Sequence, residues 1–312
     1  MDKSASANRE IGKTATIVAT QGDACIKPGI DTMQTINAIL YWSTLAVIVF
    51  AAIEAAVLLG VLRRAYDWRA SLCSLTDLLV RQYVVYAYLA FGPVDWLVGW
   101  AWVHRVATVP FGGAASIAAV FVGQEFAYYW FHRCSHHWRF WWASHAVHHS
   151  TNEMNLSAAF RFGWVGRLIG STLFFIPLIW LGFTPRAVFV TLNLNLLYQF
   201  FIHTTWVPRL RPLEWVLNTP SHHRVHHAAN LEYRDKNFGG VLIIFDRLFG
   251  TFAAERPGVP IRYGLVVPLR SYNPPWIAFH EFVALGRELW RARGWRARWT
   301  AATIIPAAAP AE

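Results

Sequence analysis

Apolar positions in this chain run in long blocks, and the blocks, rather than any alternation of single residues, set the elements it predicts. The block Ile36–Leu62 exceeds the ~20 residues a helix needs to cross a bilayer and stops at Arg63 and Arg64, so it predicts a transmembrane helix. Glu54 lies inside it, where a carboxylate either has a function or reaches water near the end of the span. Tyr83–Val103 is apolar but broken by Gly92, Pro93 and Asp95, which allows one kinked span or a re-entrant pair. Val109–Phe131 is a cleaner span and delivers His132 at its end. Leu168–Phe183 and Ala187–Val207 predict a helical hairpin about Thr184 and Pro185, whose second member ends near His203 with Gln199 one turn before it. Beyond Val207, short apolar runs are punctuated by Gly239, Gly240 and Gly250. Pro275–Trp299 mixes Trp276, Phe279, Phe282 and Trp290 with arginines, the pattern of an amphipathic helix lying in a membrane interface.

These blocks predict an all-α fold, a multi-pass transmembrane helical bundle of about four to five spans. Residues 1–34 are polar and aperiodic and read as a flexible tail ahead of an uncleaved anchor. Residues 35–272 read as the membrane-embedded domain, and residues 273–312 as the interfacial helix with a disordered end. Composition agrees: 55% of residues are hydrophobic and only 15% charged, against the roughly 25% charged in an ordinary soluble domain. The formal net charge of +10 would raise nucleic acid on a soluble chain, but here the arginines sit beside tryptophans and apolar runs, as membrane anchors do, so no nucleic-acid partner is expected. With five spans and an outer N-terminus, Arg63, Arg64, Arg69, Arg81, Arg133, Arg139, Arg161, Arg167 and the basic residues after Val207 fall inside, leaving Arg105 and Arg186 outside. Cys25, Cys73 and Cys134 form no C-x-x-C, so neither a disulfide framework nor a thiolate site is implied.

The chemistry lies in the histidines. Glu125–Asn155 carries six of the thirteen: His132 and His136 stand four apart, and His145, His148 and His149 stand at i, i+3 and i+4, so in helices each group aims its rings at one point. His223, His226 and His227 repeat the H-x-x-H-H pattern. Imidazole suits iron, zinc, copper and nickel, and eight such rings exceed what one ion holds, so two metals are expected. The same span count puts all these histidines on the cytoplasmic side, as a di-metal cap.

The runs YYWFHRCSH, WASHAVHHS, MNLSAAFR, QFFIHT and NTPSHHRVHHAANLEYRDKNFGGVLIIFDRLFGTF, within Glu125–Phe252, resemble the fatty acid hydroxylase/sterol desaturase superfamily of membrane-bound di-iron oxygenases, with most similarity to its alkylglycerol monooxygenase-like and bacterial sterol desaturase branches. The resemblance implies metal ligation by His132, His136, His145, His148, His149, His203, His223, His226 and His227. It implies two iron ions, O2 as co-substrate, a membrane lipid as substrate, and an external reductant such as a ferredoxin, a cytochrome b5-like protein or a pterin. It also implies a multi-pass protein of a bacterial inner membrane or the endoplasmic reticulum, hydroxylating an unactivated C–H bond. Glu125, Glu153, Asn155 and Asp235 are candidate acceptors for orienting the ligand rings. The chain departs from the branch pattern at His137, where a carboxylate is usual, and at Glu125, where aspartate is. His104 and His280 match no motif and read as structural or exposed. A desaturase using the same site is the alternative; a zinc hydrolase would call for a Glu base as in H-E-x-x-H, which the chain lacks.

Overall fold

A computed structural model describes residues 30–89, 93–110, 112–166 and 168–305. Among them the architecture is all-helical, with only isolated β-bridges outside the helices. The chain divides into two units, one ending at Val49 and the other running from Phe50 onward. The expected tail lies outside the described residues up to position 29, as does the Ala-Pro-rich end from position 306.

Helix α1, Ile30–Ala56, continues as a π-turn, Val57–Val61. Within it Tyr41–Val61 has a mean hydropathy of 2.5 and exposes Phe50, Ile53, Leu59 and Val61 outward. It is the one helix among the described residues long and apolar enough to cross a membrane. The other expected blocks are built from shorter or more polar pieces. Tyr83–Val103 divides between the end of α2, Trp68–Leu89, and α3, Pro93–Val103, and residues 90–92, with the Gly92 of the expected interruption, lie outside the described residues. Leu168–Phe183 contains a 3-10 turn, Ser171–Phe175, running into the six-residue α6, Ile176–Leu181, well short of the ~20 residues a spanning helix needs.

The longer elements follow from local signals. Between α2 and α6, α4 covers Ala114–His137 and α5 covers Arg139–His149, and the single extended residue Trp138 (φ −106°, ψ 120°) breaks them apart, so the two histidine motifs lie on separate helices that pack together. Thr184 caps α7, Pro185–Ile202, by accepting from the Ala187 amide, with Pro185 in the first turn where its missing N–H costs nothing. Pro220 likewise opens the short α8, Pro220–His226. After α9, Ile244–Leu248, come α10, Pro274–Arg291, capped by Asn273, and α11, Trp295–Thr303.

An apolar core joins α3, α4, α6 and α7 through Ala101, Val120, Ala127, Tyr128, Leu178, Ile179 and Val188. At Gly182 (φ 119°) a side chain would collide with the Ala107 carbonyl, and this close approach lets the loop ahead of α4 run against the end of α6. The C-terminal helix expected to be amphipathic has two distinct faces. The inner face of α10 packs on α5, where Ile277 meets Val147, and the buried Arg139 pairs with Glu281 at 2.6 Å and Glu288 at 3.3 Å. Trp290, Trp295 and Trp299 remain outward.

Candidate metal centre

Four elements carry the motif histidines into one buried region. Helix α4 supplies His132 and His136, α5 supplies His145, His148 and His149, the C-terminal cap of α7 is His203, and α8 with its cap supplies His223, His226 and His227. All nine are at most 8% exposed. Their ring nitrogens gather into two sets, each with its atoms within 4.8 Å of one another: His132, His136, His145, His149 and His226 in the first, His148, His203, His223 and His227 in the second.

The sorting corrects one expectation. An H-x-x-H-H motif does not aim its three rings at one point. In α5 the i, i+4 pair His145 and His149 joins the first set and His148 crosses to the second; at α8 the pair His223 and His227 joins the second set and His226 crosses to the first. The two motifs therefore exchange one ring each, and where they meet His149 stacks on His227 with centroids 4.4 Å apart. The reason is angular: residues four apart lie nearly over one another, whereas the residue three along is displaced around the helix far enough to face a neighbouring point.

Orientation comes mainly from backbone carbonyls. The Nδ1 of His132 lies 2.8 Å from the Phe238 carbonyl, that of His148 2.8 Å from Arg161, that of His203 2.6 Å from Gln199 and that of His226 2.9 Å from Lys236. A carbonyl only accepts, so in each case the proton is assigned to Nδ1 and the Nε2 lone pair is turned inward. Of the residues expected to orient the rings, Asp235 lies against a histidine, 3.5 Å from the His136 Nδ1. Glu125, Glu153 and Asn155 contact none. Glu125 accepts from the amides of Val241 and Leu242, Glu153 from the amide of Asp67, and Asn155 bonds Glu153 and Ser157. The physical reason is that helix ends and loops leave carbonyls without an intrahelical partner, and Gln199, in the last turn of α7, is one of these.

Burial pushes the rings of His145, His148, His149, His223 and His227 well below the ordinary histidine range, with neighbouring imidazoles adding to the effect, and holds His226 at about 4 against the hydrogen bond to Lys236. The rings are thus neutral near pH 7. His148 and His203, both committed at Nδ1, bring their Nε2 atoms to 3.3 Å, so two lone pairs face each other with no proton to share. Nε2 of His136, His226 and His227 are buried without any partner. A cation held among them satisfies such an arrangement, and neutral imidazole is the donor that iron, zinc, copper or nickel accepts. Tyr128, Trp142, Phe162 and Phe238 wall the sets with aromatic rings 4.9 to 5.9 Å from histidine centroids. The remaining histidines belong to neither set: His137 is exposed, His222 is buried against Phe252, His104 stacks on Trp100 and His280 bonds the Ile277 carbonyl.

Two polar residues beyond the histidine motifs support the second set. Arg161 is 3% exposed; its guanidinium bonds Ser74, Ser150 and the Ala70 carbonyl, which holds its own carbonyl on His148. Glu54 neither reaches water nor meets a histidine: it accepts from the amide of Leu156 at 2.5 Å, the Thr204 hydroxyl at 2.8 Å and Trp206 at 3.0 Å, fixing the segments beside Arg161 and His203. A carboxylate inside an apolar block and an arginine inside MNLSAAFR were the signals available for both.

Comparison with known proteins is consistent with this centre. The fatty acid hydroxylase family matches residues 117–251. Human alkylglycerol monooxygenase is 43% identical over 191 residues, 61% of this chain and 42% of that enzyme, and the Danio rerio alkylglycerol monooxygenase is 44% identical over 187 residues, 60% and 41% respectively. An ornithine lipid hydroxylase of Rhizobium tropici is 34% identical over 129 residues, 41% of this chain and 39% of that protein. The chain thus spans about two fifths of the length of these curated relatives. No solved structure matches it. Residues 117–251, the stretch that carries all nine clustered histidines on α4, α5, α8 and the caps of α7 and α8, are what this chain shares with the fatty acid hydroxylase family.

Proposed function

We propose that the protein is a membrane-bound di-iron oxygenase that hydroxylates an unactivated C–H bond of a lipid. The observation that carries this reading is the pair of adjacent, buried, all-imidazole sets with lone pairs directed inward, within a region matching a hydroxylase family. All nine histidines are ligands in this reading, five to one iron and four to the other. The irons, when bound, supply the reductive activation of O2 that such a bond requires. The balance is R–H + O2 + 2 e⁻ + 2 H⁺ → R–OH + H2O, so an external reductant is a partner of the reaction.

The chain's own residues contribute position and dryness. Carbonyls of Gln199, Arg161, Lys236 and Phe238 hold four rings in one tautomer, and the aromatic wall keeps bulk water from the sets. An apolar core containing Tyr128 begins one turn from His132, which suits an alkyl chain arriving from the bilayer. In this reading Tyr41–Val61 is one of several spans, and the histidine sets lie at the cytoplasmic ends of α4 and α7. The names of the relatives, alkylglycerol monooxygenase and ornithine lipid hydroxylase, favour a polar lipid as substrate class.

Mass spectrometry of lipids from cells with and without the gene tests the proposal. A species heavier by one oxygen is expected. A species lighter by two hydrogens would replace hydroxylation with desaturation, and an unchanged lipidome in cells containing the iron-loaded protein and reductant would refute both.

A further inference from the structure

The loop between α8 and α9 is fixed from two sides by carboxylates that touch no histidine. On α9, Asp246 is fully buried; one of its oxygens accepts from the Phe238 amide at 2.7 Å and the Thr251 hydroxyl at 2.7 Å, and the other from the Gly239 amide at 2.7 Å. From α4, one oxygen of the equally buried Glu125 accepts from the amides of Val241 and Leu242, both at 2.8 Å, while the other takes the side-chain amide of Asn195. Four of the five amides of Phe238–Leu242 are therefore anchored to one of two side chains far apart in sequence.

What the loop presents is equally specific. Asp235 (φ 59°) and Asn237 (φ 57°) are non-glycine residues in left-handed conformation, a costly backbone state that persists only where surroundings impose it. They flank Lys236, whose carbonyl accepts from His226, and the Phe238 carbonyl two residues on accepts from His132. Both histidines belong to the first set, although they come from different helices. The carbonyls that orient second-set rings, Arg161 and Gln199, lie elsewhere in the chain.

We propose that Asp246 and Glu125 are positioning residues for the first histidine set: by gripping the loop from opposite sides they fix the Lys236 and Phe238 carbonyls that aim His226 and His132. This rests on the reading of the two sets as metal sites, and it predicts that the ions respond unequally. At Asp246 both oxygens receive backbone N–H donors, so an asparagine amide must meet one of them donor to donor. At Glu125 a single oxygen takes both backbone donors, so a glutamine can keep them and disturb Asn195 and, through it, the Gln199 side chain. Asp246→Asn is therefore the stronger perturbation.

The test is Co(II) titration of the purified full chain in detergent, followed by the cobalt absorption spectrum and by melting of the metal-free protein. The wild type is expected to bind two ions. Asp246→Asn should weaken one ion by ~10- to 100-fold, the range for loss of an outer partner of a ligand, with the other held within about 3-fold and half the spectrum altered. Glu125→Gln should weaken the same ion by less. Two ions bound by Asp246→Asn with wild-type affinity and spectrum would overturn the proposal, and so would equal weakening of both ions, which marks a general structural role. Two-ion binding by a wild type that oxidises no lipid would sink the oxygenase reading and leave this inference standing.

Discussion

Arg139 opens α5, and its guanidinium is the main polar link between that helix and α10. It is 2% exposed, and Nη1 lies 2.6 Å from Glu281 while Nε and Nη2 each lie 3.3 Å from Glu288. The two carboxylates are 21% and 33% exposed, so the burial is one-sided: the cation is dry and the anions are partly wet. Replacing either glutamate alone by glutamine leaves Arg139 with one carboxylate, and each single change should cost about 1 kcal/mol, the scale of a partly solvated pair. Replacing both strands a buried cation, for which the cost is about 3–5 kcal/mol. The double variant should therefore exceed the sum of the singles by more than 1 kcal/mol, a coupling expected only of groups sharing one partner. Arg139→Met should fall between, at about 2–3 kcal/mol, because the freed carboxylates can turn to water. Denaturant midpoints of the metal-free protein, with the wild type and the four variants measured under one condition, decide the matter. Strict additivity of the two glutamine changes would show that Arg139 is not held by the pair, and an Arg139→Met more damaging than the double variant would refute the argument from one-sided burial.

Other outcomes follow from the same geometry. Ala at any of the nine clustered histidines should abolish turnover in the proposed reaction, whereas His104→Ala and His280→Ala should keep it within severalfold; a dead His280→Ala beside an active His148→Ala would undo the assignment of the sets. Burial holds His226 and His222 at about 4 against an ordinary 6.5, so above about pH 6.5 both are neutral folded and unfolded, and between 6.5 and 4 only the unfolded chain takes up protons. Metal-free protein should accordingly lose roughly 3 kcal/mol per ring over that interval, and a stability unchanged from pH 7 to 4.5 would contradict the burial. Gly240→Ala would drive a methyl into the Asn195 amide, at a cost of roughly 1–3 kcal/mol by melting, and a neutral result would mean that α7 yields there freely. Glu54→Gln should weaken the second ion in a cobalt titration and spare the first, since its partners Leu156 and Thr204 adjoin the segments that orient His148 and His203.

Local pattern made part of this protein legible without a structure. Tyr41–Val61 is apolar but for Ser43, Thr44 and Glu54, and hydropathy over ~20 residues is a property of the chain itself, so the helix that can cross a membrane could be read directly. The histidines could be found for the same reason, because i, i+3 and i+4 spacing places rings on a helix face whatever that helix packs against. Which ring joins which set was beyond such reading. His148 and His226 cross over because α5 and α8 face each other at a particular rotation, a relation between residues some eighty positions apart. The orienting acceptors were hidden too, since a carbonyl at Phe238 or Gln199 carries no signature in the sequence and becomes available only where a helix ends or a loop is held. Glu125 and Asn155 looked like partners for histidines because their chemistry suited the task. Packing assigned the task to backbone instead, and turned Glu125, with Asp246, to holding the loop that performs it. Spacing along one helix is decided by the 3.6-residue period, whereas the partner across a helix interface is decided by how buried polar groups are satisfied over the whole fold.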